Sequence, residues 1–223
     1  MQNGGLSWVV MQLADSGFPV GGFAHSAGLE AAMQQGEVAD ELELYWFCCE
    51  SVRQTGYAGL PFVNSSYDGA ALAEQDAICD VFLSNHVANR ASRHQGRAFL
   101  SACERSFELD ELSSLKAAVR GEKLCQHFAP LFGSIAKTLR MSLDEARQLF
   151  LFTSIRGTIS AAVRLNLIGP YAGQRLQVKL VPLLDQVLDQ TVHLRGETAV
   201  QTAPLLDVFH MGHDRLYSRL FQS

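Results

Sequence analysis

Apolar residues along this chain recur at the three- and four-residue steps of amphipathic helices, while alternation of period two is short and rare. The pattern predicts helices over 7–14, over 27–35 with Gly36 as the stop, and over 40–64, where Gly56 and Pro61 interrupt or kink the run. Further helices are expected at 70–84, 87–107, 110–119, 124–139, 175–194 and 204–220. Ser142-Leu143-Asp144-Glu145 has the spacing of a capping box, in which serine and glutamate side chains satisfy each other's orphan backbone N–H groups. It opens an apolar run to Ile168 that Gly169-Pro170 terminates. The centre of that run, LFLFTSIRGTISAAVRL, is apolar on nearly every face, with Gly157, Ser160, Ala161 and Ala162 as small positions. It is expected to be the central helix, closely approached by its neighbours. Arg156 and Arg164 lie inside it, and a buried guanidinium needs a partner, either a carboxylate on another helix or a group across an interface. With no Asn-Gly hairpin, no βαβ rhythm and no fixed-period repeat, the reading is an all-α, single-domain helical bundle with short connections.

Composition narrows the class. A chain of 223 residues that is 48% hydrophobic buries one substantial core. No run approaches the roughly 18 apolar residues of a membrane span, and no basic residue precedes Arg53, so the expected setting is the cytoplasm, with no membrane partner. Cys48, Cys49, Cys79, Cys103 and Cys125 form no C-x-x-C pair and suit reduced core thiols better than a disulfide frame or a zinc site. Residues 1–89 carry eleven acids against one base, and residues 90–223 carry twelve against seventeen. Such polarity seats two different charged partners or draws copies of the chain together, unless it is an accident of a solvated surface. An acidic chain without a Lys/Arg tract excludes nucleic acid as the expected partner.

Three segments hold the candidate chemistry. Arg90, Arg93, Arg97 and Arg105 fall along one face of the 87–107 helix, either as a carboxylate- or phosphate-binding stripe or paired within the chain, with His94 beside them. The loop FPVGGFAHSAGLE lacks the lysine of a phosphate-cradling P-loop. Its AHSAG resembles a nucleophile elbow, with Ser26, Asp185 or Asp189, and His210 in hydrolase order, but an elbow follows a buried strand, and none is predicted. Gly21 and Gly22 then allow close backbone approach, Ser26 caps the following helix, and His25 is a cap neighbour near the surface. At the C-terminus, Leu205, Phe209, Leu216 and Leu220 recur at helical spacing, and the Leu220-Phe221 pair must be tied down, on its own core or on a partner. His210 and His213 alone are an incomplete metal site.

LADSGFPVGGFAHSAGLEAA, NRASRHQGRAFL, HFAPLFG, RGTISAAVRLNLIGP and HDRLYSRLFQS together resemble, in order and over nearly the whole chain, the blocks of the urease accessory protein UreF family. The resemblance implies an all-helical, homodimeric, cytoplasmic protein without catalytic residues or an intrinsic cofactor. It joins UreD (also called UreH) and recruits the GTPase UreG, and the assembly delivers nickel, as cargo, to the urease apoprotein. It further implies a docking tail at 210–223, in which Tyr217, Ser218, Arg219, Leu220 and Phe221 pack on the protein and are ordered on joining UreD. Arg219 is expected near Phe23, and both help form the surface for UreG, together with Gly21, Gly22, His25 and Ser26. Some members carry tyrosine where this chain has Phe23, which removes a hydroxyl but keeps a ring that stacks on guanidinium. His25 is implied as a candidate for the path nickel takes. A generic helical adaptor for other partners and a hydrolase acting through Ser26 are the alternatives.

Overall fold

The computed structural model describes residues 7–19 and 25–222, and among these the regular structure is helical, with no strand. In chain order the helices are α1 (Trp8–Ala14), α2 (Leu29–Gln34), α3 (Glu41–Ala58), α4 (Leu60–Asp68), α5 (Leu72–Phe82), α6 (His86–Phe107), α7 (Asp110–Gly121), α8 (Phe128–Thr138), α9 (Leu143–Arg164), α10 (Pro170–Thr191) and α11 (Pro204–Gly212). Short 3₁₀ turns follow α10, at Gly196–Thr198, and α11, at His213–Arg215.

α9 is the axis, as its apolar sequence predicts. The Ser142–Glu145 capping box opens it, and it packs against α1, α2, α3, α4, α8 and α10. Phe150 of α9 stacks on Phe128 at 5.5 Å between ring centroids and meets Phe132 edge-on at 5.2 Å. Phe132 in turn stacks on Phe99 of α6, so four aromatic rings tie three helices into one core. Cys48, Cys49, Cys79 and Cys103 are buried free thiols in or beside this core, and burial pushes Cys48 and Cys103 up to about 12. Cys125 differs: it is half-buried and lies in a loop.

Several element boundaries depart from the sequence pattern, each for a local reason. The 40–64 run breaks at Gly59, where a β-carbon would come within 2.7 Å of the Phe150 ring. Gly56 stays helical, because its missing side chain admits Val187 of α10, and Pro61 sits harmlessly in the first turn of α4. α8 starts at Phe128 rather than 124, because residues 124–127 form an irregular loop held by buried Asp76. α10 starts at Pro170, whose fixed φ suits a first helical turn. Ala161 and Ala162 are closely packed, but among the described residues nothing beyond its own stretch of helix lies within 4 Å of where a Gly157 side chain would begin.

The α9 arginines find partners of several kinds. Arg156 donates to the backbone oxygen of Ala14 and lies 5.5 Å from the Phe152 ring centroid, while Arg164 covers the Phe221 ring at 4.3 Å. Aromatic faces and a carbonyl are thus among the groups that meet these cations, and the Asp15 carboxylate also acts on Arg156. The most deeply buried arginine is Arg147, which donates to the backbone oxygen of Leu188 and, at 3.0 Å, to Thr191 Oγ1 near the end of α10.

Candidate docking site at the C-terminal segment

The candidate surface is built on α2. Ala27 and Gly28 both take positive φ, 54° and 84°, and this left-handed corner turns the chain sharply into the helix. Gly28 is the N-cap, and a β-carbon there would lie 2.7 Å from the His210 ring, so the corner requires glycine both for its angle and for its closeness to α11. Ser26 is therefore not the cap residue. It is fully buried, and its Oγ accepts a long 3.5 Å hydrogen bond from the Glu30 N–H. That burial, with Asp185 and Asp189 both exposed on α10, is unlike the presented nucleophile of a hydrolase.

In the first turn of α2 lies the residue that the sequence pattern did not single out, Glu30, only 2% exposed. Its Oε1 accepts the Leu220 N–H at 2.6 Å, and its Oε2 accepts the Phe221 N–H at 3.2 Å and lies 3.3 Å from buried His213 Nε2. Gln34, on the next turn, donates from Nε2 to the Ser218 carbonyl at 3.0 Å. Charge-assisted bonds of this kind are about twice as strong as neutral ones, so Glu30 is the principal fastening of the tail.

The tail does not continue the helix to 220. α11 ends at Gly212, a poor interior helix residue, and the chain passes through the 3₁₀ turn, which places His213 against Glu30. Phe221 is then buried beneath Arg164, which answers the sequence question in favour of docking on this chain's own core. Asp214 fixes the outer side: Arg90 Nη2 lies 2.8 Å, His86 Nε2 3.3 Å and Arg219 Nη1 3.6 Å from its carboxylate, and the hydrogen bond from Arg90, with that of His86, holds it below the usual carboxylate range. Part of the arginine stripe is thus paired within the chain, Arg90 with Asp214 and Arg93 with Asp80 at 3.9 Å. With both ends of the segment held, Tyr217 stands wholly in solvent and Leu220 is 54% exposed, with the partly exposed Arg219 between them. Gly21, Gly22 and Phe23 lie outside the described residues, so the expected approach of Arg219 to Phe23 does too.

His25 is half-buried rather than a surface cap neighbour. Burial first, and then the nearby His94, His210, His213 and Arg90, push it down to about 4, and burial also lowers buried His210. His210 and His213 do not join a third ligand-type side chain closely enough to form a metal-holding group among the described residues. The lowered histidines give a signed pH dependence. Between pH 6.5 and about 4 the unfolded chain binds a proton at position 25 that the folded chain refuses, so folding stability falls as pH drops through that window. Unfolding free energies from urea titrations should decline from pH 6.5 to 4.5 by up to about 1.4 kcal/mol per pH unit for each such histidine. A flat profile over that range contradicts the burial of neutral imidazoles.

Comparison with known proteins agrees with this architecture. The family model described as UreF matches residues 38–181. Urease accessory protein F of Oryza sativa is 38% identical over 219 residues, covering 96% of this chain and 84% of the rice protein. Its namesake in Arabidopsis thaliana is 36% identical over 98% of this chain and 93% of its own length, and UreF of Arthrobacter sp. FB24 is 28% identical over 99% and 98%. No helix among the described residues is long and apolar enough to cross a membrane. From a match through most of the bundle and relatives of this identity along nearly its whole length, the chain belongs to the UreF family of urease accessory proteins.

Proposed function

We propose that this chain is a cytoplasmic urease accessory factor that joins UreD (UreH), recruits the GTPase UreG, and so enables delivery of nickel to the urease apoprotein. In this reading it makes and breaks no bonds itself, holds no intrinsic cofactor, and presents surfaces. The observation that carries it is the fastened tail: Glu30 and Arg164 pin residues 220–221, while Tyr217, Arg219 and Leu220 face outward. An exposed tyrosine, arginine and leucine on a segment fixed at both ends make a preorganised hot spot, because little side-chain or backbone freedom remains to be lost on binding.

Homodimerisation belongs to the same proposal. Tyr171, Val178 and Val181 of α10 are exposed at helical spacing, an apolar face suited to self-association. The separation of an acidic first part from a basic remainder favours the same pairing.

Arg219→Ala tests the surface. Among the described residues Arg219 pairs with Asp214 at 3.6 Å, a contact that Arg90 duplicates at 2.8 Å, so the variant should fold as the parent does. Recovery of UreG with the complex of this chain and UreD should fall at least tenfold. Undiminished co-purification of UreG would remove Arg219 from the surface.

A further inference from the structure

Away from the tail, three ligand-type side chains converge: Asp80 from α5, and Cys125 and His127 from the loop before α8, with one donor atom from each within 4.8 Å of the other two. We propose that these residues form a binding site for a zinc-class divalent cation, with water as the fourth ligand. Nothing in this geometry depends on urease maturation.

The loop that carries two of the ligands is held rigidly. The buried carboxylate of Asp76 accepts three successive backbone N–H groups, from Cys125 at 2.6 Å, Gln126 at 3.2 Å and His127 at 2.7 Å. On the other side the loop lies directly against α6, where a β-carbon at Gly96 would come within 2.0 Å of the Gln126 carbonyl. Gln126 itself takes a positive φ of 70°, which places residues 125 and 127 toward the same carboxylate.

Outer contacts orient each ligand. His127 is fully buried, with Nδ1 3.1 Å from Ser92 Oγ and Nε2 2.9 Å from Asp80 Oδ1. Ser92 also accepts the Phe128 N–H at 3.1 Å, and its hydroxyl still serves either imidazole tautomer, donating to Nδ1 or accepting from it. Asn89 Nδ2 holds Asp80 Oδ1 at 3.0 Å, and the Asn89 and His127 hydrogen bonds keep the carboxylate ionised. An imidazole backed by a hydroxyl and a carboxylate backed by an amide are the outer supports that metal ligands require.

The set is chemically apt. One thiolate, one imidazole and one carboxylate suit a borderline ion, which prefers four ligands in a tetrahedron. Bonds of about 2.0–2.3 Å set tetrahedral ligand atoms about 3.5 Å apart, so the Asp80–His127 pair opens slightly as Cys125 closes in. Binding sends the Cys125 thiol proton to solvent. To coordinate, His127 gives up the Nε2 proton that faces Asp80 and takes one on Nδ1, where the Ser92 hydroxyl turns to accept it, so Nε2 is opened to the ion. Arg93, 3.9 Å from Asp80 and partly exposed, is the competing cation and must swing outward. Asp80 and Arg93 line an open surface cleft, which gives the ion an entry path.

Titration of the full-length reduced chain with Co²⁺ alone tests the assignment. A sulfur-to-cobalt charge-transfer band with tetrahedral ligand-field bands is expected, bleached by Zn²⁺. Cys125→Ser should abolish the charge-transfer band and weaken Zn²⁺ binding at least tenfold, Asp80→Asn should weaken it severalfold, and Arg93→Met should strengthen it. Cys125 is the partly exposed cysteine, so its serine variant is expected to fold, as circular dichroism will check. Absence of the band in the parent, its persistence in Cys125→Ser, or equal Zn²⁺ affinity in parent and variant would overturn the site.

Discussion

Glu30→Ala should release the C-terminal segment, lower folding stability by about 3 kcal/mol and abolish capture of UreG. The side chain is buried and faces two backbone donors and an imidazole. Each hydrogen bond to a charged group contributes roughly 1.5–3 kcal/mol, and part of that returns because the freed tail regains water and mobility. Glu30→Gln separates charge from shape: an amide oxygen still accepts one N–H, so an intermediate loss is expected. The readouts are the urea midpoint and the rate at which carboxypeptidase removes residues beyond Asp214, which should rise at least tenfold. Unchanged digestion and an unchanged midpoint would show that Glu30 does not fasten the tail.

Asp76→Ala should be the most damaging substitution around the loop before α8, at about 4 kcal/mol. It removes the common acceptor of three consecutive N–H groups while α6 blocks the loop from collapsing elsewhere. Unsatisfied buried donors cost about 1–3 kcal/mol each, with water recovering some of that in a half-buried loop. Amide exchange at Cys125, Gln126 and His127 should accelerate by at least a hundredfold, more than at the centre of α9. Asp76→Asn, which keeps an acceptor oxygen, should fall between the two. Exchange that stays slow in Asp76→Ala would mean that packing alone holds the loop.

What the sequence revealed and what it concealed divide along the range of the interactions. Helix α9 was legible because its signals are local: a serine and a glutamate three residues apart, then an unbroken apolar run. The break at Gly59 was hidden between two more obvious candidates, Gly56 and Pro61, because it depends on the Phe150 ring from a distant helix. The irregular tail keeps helical spacing at Leu216 and Leu220, whereas His213 turns inward to a glutamate far earlier in the chain. Glu30 looked like an ordinary polar position in a short helix, and only a partner about 190 residues later reveals it. Asp80, Cys125 and His127 likewise bear no local spacing, since a loop and a helix bring them together. An aspartate followed at long range by a Cys-x-His step is too common a pattern to single them out. The family resemblance, carried by motifs spread along the chain, located the tail as important without showing what holds it.

The most direct test of the central claim, that the fastened tail is the surface on which maturation partners assemble, is a reconstitution followed by light scattering. This chain, its cognate UreD and its cognate UreG are mixed at micromolar concentration, with the parent, Arg219→Ala and Glu30→Ala compared side by side. The account predicts a dimer of the parent alone, a larger species containing all three proteins with the parent, and a complex lacking UreG with either variant. A ternary species of the same size and yield with both variants would contradict it.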